Sequence, residues 1–242
     1  MQRDLLDALR CPGAHEEAWL VAMVHATRGA DLREADLACP VCGREFAIRD
    51  GIACFGTSPG AARDSAVSDA TSVSGDSVSG DSVSGDSVSG DSVSGDGEHD
   101  AGVRLAAQLG VMGGETPVLL MGDYARVGHA LRAWTTAPQL WLNARVPVTG
   151  ALQASVLCVE QAPLPLGAAT LAGAAVDASH AHAPWLSSVV RCIRQGGHLI
   201  APAATPVPDG VRELARDDRE WVGEVLAPPS GLVTLRRQSV PA

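Results

Sequence analysis

The sequence has little positive charge and no long apolar run. Its 18 basic residues, all arginine, are outnumbered by 28 acidic ones, and the formal net charge is −10. The chain therefore lacks the basic excess that nucleic-acid binding requires. The longest apolar run, Ala18 to Val24, is far shorter than the ~20 residues of a membrane-spanning helix. Charged residues follow Met1 where a secretory signal would have its apolar segment.

The six cysteines include one metal-ligand pattern. Cys39 and Cys42 are separated by two residues and followed by Gly43, a spacing that lets both thiolates reach one ion. Cys11 lies 28 positions earlier, as the first turn of a zinc ribbon precedes the second. Zinc thiolates and free cysteines both suit a reducing compartment. We therefore expect a cytoplasmic protein without a membrane segment.

The fourth zinc ligand does not follow the usual spacing. A cysteine three residues after Cys11 is absent, and His15 follows one position later. Cys11, His15, Cys39 and Cys42 together make a predicted site of three cysteines and one histidine for zinc. The alternatives are a retained turn that has lost its metal and a solvated His15. Cys54 is a lesser candidate that can instead pack as a small apolar residue.

The N-terminal sequence resembles a known family of small zinc ribbons. Leu5 to Pro12 read Leu-Leu-Asp-Ala-Leu-Arg-Cys-Pro, and Leu37 to Ile52 contain Leu-Ala-Cys-Pro-Val-Cys and end in Asp-Gly-Ile. These runs are similar to the ribbon family that activates tRNA and protein methyltransferases, over roughly residues 2–56. The resemblance implies a zinc-binding ribbon that contacts a methyltransferase, either a separate partner or the C-terminal part of this chain.

The middle of the chain is a repeat. Residues 72–96 are five identical copies of Ser-Val-Ser-Gly-Asp, a period that fits neither helix nor strand. One valine per copy buries too little surface to offset the entropy of ordering. The double glycines of the calcium-binding nonapeptide repeat are absent. We therefore predict that residues 57–100 are a flexible acidic linker between a ribbon at 1–56 and a second domain at 101–242.

After Gly102, short apolar runs alternate with helical stretches, which predicts a mostly parallel α/β sheet covered by helices. Glu220 to Leu226, a Pro-Pro-Ser-Gly turn and then residues 232–236 predict a terminal antiparallel hairpin. The predicted strands are Pro117 to Met121, Gln139 to Leu142, Ser155 to Val159, Leu171 to Val176 and His198 to Ala201. The predicted helices are Val103 to Leu109, His129 to Trp134 and Trp185 to Ile193.

Two motifs in this part are similar to those of a known enzyme family. Arg191 to Leu199 resemble Arg-Val-Leu-Arg-Pro-Gly-Gly-x-Leu, and Glu160 to Leu166 resemble Asp-Ala-x-x-Leu-Pro-Phe. Both belong to the S-adenosylmethionine-dependent methyltransferases, and the resemblance covers roughly residues 102–237. It implies a Rossmann-like methyltransferase sheet with a terminal hairpin, in which Glu160 contacts the adenine of the cofactor. Asp177 and His182 lie near the family's Phe-Asp strand end and its following histidine.

The predicted cofactor loop departs from that family's pattern. The family has Gly-x-Gly-x-Gly after the first strand, because bare backbone must approach the methionine moiety closely. Gly122 keeps the first glycine, whereas Tyr124 and Arg126 take the next two places. Asp123 can offer a carboxylate to the cofactor, or it simply solvates or caps the loop. Asn143 takes the position of the ribose-binding acid and can accept one hydrogen bond from the ribose.

Two functions stay open on these residues. The first is an S-adenosylmethionine-dependent methyltransferase with a fused activator-like ribbon; His180 and His182 are its weak catalytic candidates, or they are surface residues. The second is a non-catalytic scaffold or regulatory partner of another methyltransferase, with the cofactor lost and the ring of Tyr124 filling the space of the missing glycine. No Asn-Pro-Pro-Tyr motif is present, so the sequence indicates no methyl acceptor.

Overall fold

The computed structural model describes residues 1–56, 95–143 and 154–227. Residues 72–94 of the repeat and the predicted hairpin strand at 232–236 lie outside these residues. In the described part of the chain, no helix is both long and apolar enough to span a membrane.

Strands dominate the described residues, and three α-helices accompany them. The strands are β1 (Val21–Arg28), β2 (Asp31–Ala38), β3 (Glu45–Arg49), β4 (Ile52–Phe55), β5 (Val118–Met121), β6 (Gln139–Leu142), β7 (Ala154–Val159), β8 (Leu171–Ala175), β9 (Ile193–Pro202), β10 (Val211–Arg216) and β11 (Glu220–Val225). The α-helices are α1 (Gly95–Leu109), α2 (Gly128–Leu131) and α3 (Ala183–Cys192), and two 3-10 helices span Arg3–Ala8 and Gly122–Val127.

All 11 described strands belong to one sheet, in the order β1-β2-β3-β4-β7-β6-β5-β8-β9-β11-β10. Strands β7, β6, β5, β8 and β9 are parallel, whereas β11 runs antiparallel to β9 and to β10. The predicted mixed α/β sheet with a run of parallel strands is confirmed. Each predicted apolar run of this part coincides with one of the parallel strands.

The terminal hairpin is formed by a different pair of strands from the predicted one. Glu220–Val225 lies between β9 and β10, so both of its edges are already paired. The strand predicted at 232–236 lies outside the described residues. The sequence did not predict strand β10 (Val211–Arg216), because five of its six residues are exposed and it has no apolar run. An edge strand with charged side chains is a common protection against aggregation.

The ribbon segment, which we define as residues 1–56, continues the same sheet. Its strands β1 to β4 are antiparallel neighbours, and β4 pairs in parallel with β7 from Ile52↔Val156 to Phe55↔Val159. We call this β4–β7 pairing the seam. The linker composition said nothing about whether the two predicted parts touch, and the structure joins them edge to edge.

An apolar core lies on each face of the sheet. The first combines ribbon residues such as Leu5 and Leu9 with strand residues such as Leu119 and with Trp185 of α3. The second lies beneath α1 and α2 and includes Leu105 and Trp141. Because Leu9 also bridges to Leu166 in the loop after β7, the ribbon segment covers part of the face that α3 covers elsewhere. The ribbon segment is thus packed into the first core.

Helix α1 begins at Gly95, inside the range 57–100 that was predicted as linker. Packing on the second core explains the longer helix, since the His99 ring lies 5.0 Å from that of Trp134 between centroids. Helix α2 ends at Leu131, earlier than the predicted Trp134, and the chain continues in turns.

Candidate metal centre and cofactor crevice

The four predicted metal ligands converge in the ribbon segment. The Sγ atoms of Cys11 and Cys42 are 3.7 Å apart. The Nε2 atom of His15 lies 3.3 Å from Cys11 Sγ and 3.4 Å from Cys39 Sγ. All four ligand atoms lie within 4.8 Å of one another. A tetrahedral zinc ion with bonds of about 2.3 Å to sulfur and about 2.0 Å to nitrogen has ligand separations of roughly 3.5–3.8 Å. The group fits that ion.

Tight turns bring these ligands together. Gly43 adopts φ +69° and donates its N–H to Cys39 O at 2.9 Å, which closes the turn between Cys39 and Cys42. Gly13 donates its N–H to Cys11 Sγ at 3.3 Å. A Cβ at Gly13 would lie 2.8 Å from His15 Nε2, so only glycine leaves room for the imidazole. Position 13 was not singled out from the sequence.

The environments of the two buried ligand thiols differ. Burial opposes ionisation of Cys39, but the N–H groups of Cys42 and Val41 point at its sulfur and lower its pKa to about 6. Burial raises the pKa of the Cys11 thiol to about 12. His15 Nδ1 donates to Glu16 O at 2.6 Å, which leaves Nε2 as the atom facing the thiols. Such a hydrogen bond orients a histidine ligand and fixes its tautomer.

The second candidate site lies at the topological switch point of the parallel strands, where the strand order reverses. From β5 the chain proceeds to β6 on one side and later to β8 on the other. In open α/β sheets, ligands bind in the crevice beyond the carboxyl ends of the strands at this point. Gly122 follows β5, Asn143 follows β6 and Asp177 lies two residues after β8.

Side chains fill this crevice. His180 Nδ1 donates to Asp177 Oδ1 at 2.6 Å, and Asn143 Nδ2 donates to His180 Nε2 at 3.3 Å. The Asn143 amide also donates to Val159 O and accepts from Val159 N, both at 2.9 Å. We call Asn143, Asp177 and His180 the crevice network. Both amide protons of Asn143 are thus engaged, and its Oδ1 already accepts one of the two hydrogen bonds that an amide oxygen can accept.

Gly122 is positioned by the same network. It adopts φ +55°, and a Cβ there would lie 1.8 Å from Asp177 Oδ2. Its lack of a side chain therefore makes room for a carboxylate of this protein. The neighbouring Asp123 donates its backbone N–H to Asp177 Oδ2 at 3.3 Å, while its exposed carboxylate lies 3.4 Å from Arg126 Nε.

Tyr124 lies elsewhere, although its ring was expected to fill the crevice. Its hydroxyl donates to Glu220 Oε2 on β11 at 2.6 Å, and Arg104 and Gln108 of α1 donate to the other oxygen of that carboxylate at 2.8 Å each. Burial, followed by the hydrogen bond to Glu220, raises the pKa of Tyr124. The ring packs with α1 and β11. The expectation that the Tyr124 ring fills the crevice is therefore wrong.

Glu160 faces a cavity at the junction of the ribbon segment and the sheet. The cavity has a volume of about 380 Å³, and Phe46, Phe55 and Arg44 line it together with the loop after β7. Gly122, Asp123 and Asn143 are not among its lining residues. Of the four residues predicted to bind the cofactor, Glu160 alone therefore lines this cavity.

The two histidines named from the sequence differ in environment. His180 is buried, and its ring meets that of Trp185 edge-on at 5.2 Å between centroids. His182 is exposed just before α3 and accepts backbone hydrogen bonds from Trp185 and Leu186 through its carbonyl. With its Nδ1 on Asp177 and its Nε2 on Asn143, His180 has both ring nitrogens engaged.

Comparisons with known proteins give only weak similarities. No protein-family model and no curated protein matches the chain. Solved structures that match include a complex of the Haloferax volcanii Trm112 methyltransferase activator with a protein described as a methyltransferase (19% identity, TM-score 0.35) and the YcgJ protein of Bacillus subtilis (14%, 0.36). Each match covers 43% of this chain and 50% of the other.

An S-adenosyl-L-methionine methyl transferase from Silicibacter pomeroyi DSS-3 is 19% identical, with a TM-score of 0.39, over 53% of this chain and 91% of that one. This chain spans about half the length of the chains matched in the Haloferax volcanii complex and in the YcgJ structure. Similarities of this size indicate nothing about activity.

Proposed function

We propose that Cys11, His15, Cys39 and Cys42 hold a structural zinc ion. Three thiols and one imidazole at tetrahedral separations support this proposal, because zinc prefers such ligands and this geometry. Four protein ligands leave no open coordination position, which favours a structural over a catalytic ion. A small ribbon gains much of its folding free energy from its metal.

Elemental analysis of protein purified from zinc-replete medium tests this site. About one zinc per chain is expected, and Cys39→Ser should lose most of it because a site with one thiolate fewer binds zinc more weakly. Cys192→Ser, at a buried thiol that contacts Leu166 O, is the matched control and should keep the ion. Wild-type protein without zinc would contradict the proposal.

We further propose that the chain is a methyltransferase-family protein that acts as a non-catalytic scaffold or regulatory partner of another methyltransferase. The crevice network is the observation that carries this proposal. S-adenosylmethionine would need the backbone at Gly122 and an acceptor at position 143. Asp177 lies against Gly122, and the Val159 N–H already donates to Asn143 Oδ1. The residues of the crevice thus do not fit the cofactor.

Calorimetric titration of the zinc-loaded full chain with S-adenosylmethionine tests this proposal. We expect no binding heat at millimolar cofactor, since entry would break the hydrogen bonds of the crevice network. Binding in the micromolar range would contradict it. In that case Asp177→Asn, which keeps the side-chain size, would show whether the cofactor displaces the network.

A second candidate function, a methyltransferase that still binds its cofactor, is favoured by one observation. Glu160, the adenine-contacting acid implied by resemblance, lines a cavity whose volume of about 380 Å³ suits a small ligand. If this function holds, the same titration gives binding that Glu160→Ala weakens by about 1–3 kcal/mol. Glu213→Ala, on the exposed edge strand β10, is the control and leaves that binding unchanged.

A further inference from the structure

Two cysteines face each other across the seam. Cys54 of β4 and Cys158 of β7 are direct partners in the parallel register. Their side chains lie on one face of the sheet, because the pair two residues earlier, Ile52 and Val156, packs on the second core. Cys158 is exposed and Cys54 is partly exposed, so a small oxidant in solvent can reach them. Neither belongs to the proposed zinc site.

The register suits a disulfide. Neighbouring strands lie about 4.8 Å apart. This spacing falls within the roughly 4.4–6.8 Å that disulfides span between Cα atoms. A bond between directly paired positions therefore needs a rotation of the two side chains and little movement of the backbone.

The two thiols are also chemically unequal. The Cys158 S–H donates to the Cys54 sulfur and, with the nearby charge of Arg49, lowers the pKa of Cys54 to about 7, although burial opposes this. The same hydrogen bond, together with burial, raises the pKa of Cys158. Because the positive charge of Arg49 lies near Cys54 and favours a thiolate there, we assign Cys54 as the attacking thiol and Cys158 as the resolving one.

We propose that Cys54 and Cys158 are a redox-active pair that forms a disulfide across the seam when it meets a low-molecular-weight disulfide. The Cys54 thiolate attacks one sulfur of that oxidant, whose S–S bond breaks and releases one thiolate. Cys158 then loses its proton and attacks Cys54 Sγ, which expels the second thiol. The protein loses two hydrogens, and the oxidant is reduced to two thiols.

Such a bond would connect the ribbon segment covalently to the sheet. The seam contains only four residue pairs, and β4 and β7 are separated in sequence by 98 residues that include the repeat. Oxidation would therefore hold the ribbon segment on its partner strand without altering the zinc ligands. The reduced and oxidised chains would differ in how readily the ribbon segment separates from the sheet.

Peptide mapping of the zinc-loaded full chain after incubation with oxidised glutathione tests the proposal. Trypsin places Cys54 in residues 50–63 and Cys158 in residues 146–191, and each peptide contains a single cysteine. Without reductant, we expect these two peptides to be linked with loss of two hydrogens, and zinc content to stay unchanged. Cys192→Ser is the matched control and should give the same linked pair.

Single variants separate the two steps. Cys158→Ser should accumulate glutathione on Cys54, because no resolving thiol remains. Cys54→Ser should leave Cys158 at least tenfold less glutathionylated than Cys54 is in Cys158→Ser, since the nucleophile is gone. Circular dichroism establishes that both variants are folded. The proposal is overturned if folded wild-type protein keeps both thiols free, or if it retains glutathione on Cys54 without forming the link.

Discussion

Gly122 and Asp177 share a small volume at the carboxyl end of β5. A Cβ at Gly122 would lie 1.8 Å from Asp177 Oδ2, at a backbone φ of +55°. We expect Gly122→Ala to lower the free energy of unfolding by about 2–4 kcal/mol, because the clash adds to left-handed strain. Gly113→Ala is the control, since φ is +76° there and no atom lies within 4 Å of the added carbon. It should cost only about 1–2 kcal/mol. Equal losses in urea unfolding would count against the packing described.

Asp177 also links stability to pH. Burial raises the pKa of its carboxyl, but hydrogen bonds from His180, Ser179 and the Asp123 N–H outweigh burial and hold that pKa below its usual value. The resulting stability is fully present above the unfolded-state pKa of about 4 and is lost as pH falls through the folded-state pKa. In urea unfolding at a series of pH values, Asp177→Asn should show a smaller decrease below about pH 4 than wild type. Asp209→Asn, on an exposed loop, should keep the wild-type profile.

Residue roles were predictable where partners are close in sequence. The spacing of Cys39 and Cys42 is local, so a metal-binding turn could be proposed from it. Asn143 was predicted to contact a ribose from its position after the second strand of this part. Its contacts with Val159 and His180 could not be predicted, because those residues lie 16 and 37 positions away and only the folded sheet brings them together. The space that Asp177 takes beside Gly122 depends on β5 and β8 being neighbours, which the sequence alone does not state.

Among the secondary-structure elements, the buried parallel strands were the easiest to predict from the sequence, and the edge strand β10 was the hardest. Strands covered on both faces are continuous apolar runs, and the runs at Val118–Met121 and Gln139–Leu142 are fully buried. Strand β10 has no such run because it faces solvent. The parallel pairing of β4 with β7 could not be predicted from the sequence either, since composition does not determine which edges of two sheets meet.

The N-terminal 3-10 helix Arg3–Ala8 and the residues after it should stabilise the whole sheet. Leu9 is fully buried in the first core, and the backbone there pairs with the loop after β7. We expect Leu9→Ala to lower the free energy of unfolding by about 2–5 kcal/mol. The whole transition should shift in denaturant unfolding. Leu214→Ala, at a side chain that is 47% exposed on β10, is the control and should change stability by about 0.5 kcal/mol or less. A Leu9→Ala effect as small as that of the control would contradict the shared core.

At the scale of the whole molecule, the ribbon segment and strands β5 to β11 form one sheet around shared cores. The division into parts at 1–56 and 101–242 stays a prediction about sequence, whereas the seam and the first core connect those parts physically. If the Cys11, His15, Cys39 and Cys42 group holds zinc, the free energy of metal binding stabilises this entire unit.

Differential scanning calorimetry of the zinc-loaded full chain tests this account most directly. We expect a single unfolding transition whose calorimetric and van't Hoff enthalpies agree, because ribbon and sheet unfold together. Removing zinc with a chelator should lower the midpoint of that whole transition. Two separate transitions, of which only the smaller responds to the chelator, would show that the ribbon segment folds apart from the sheet and would contradict the account.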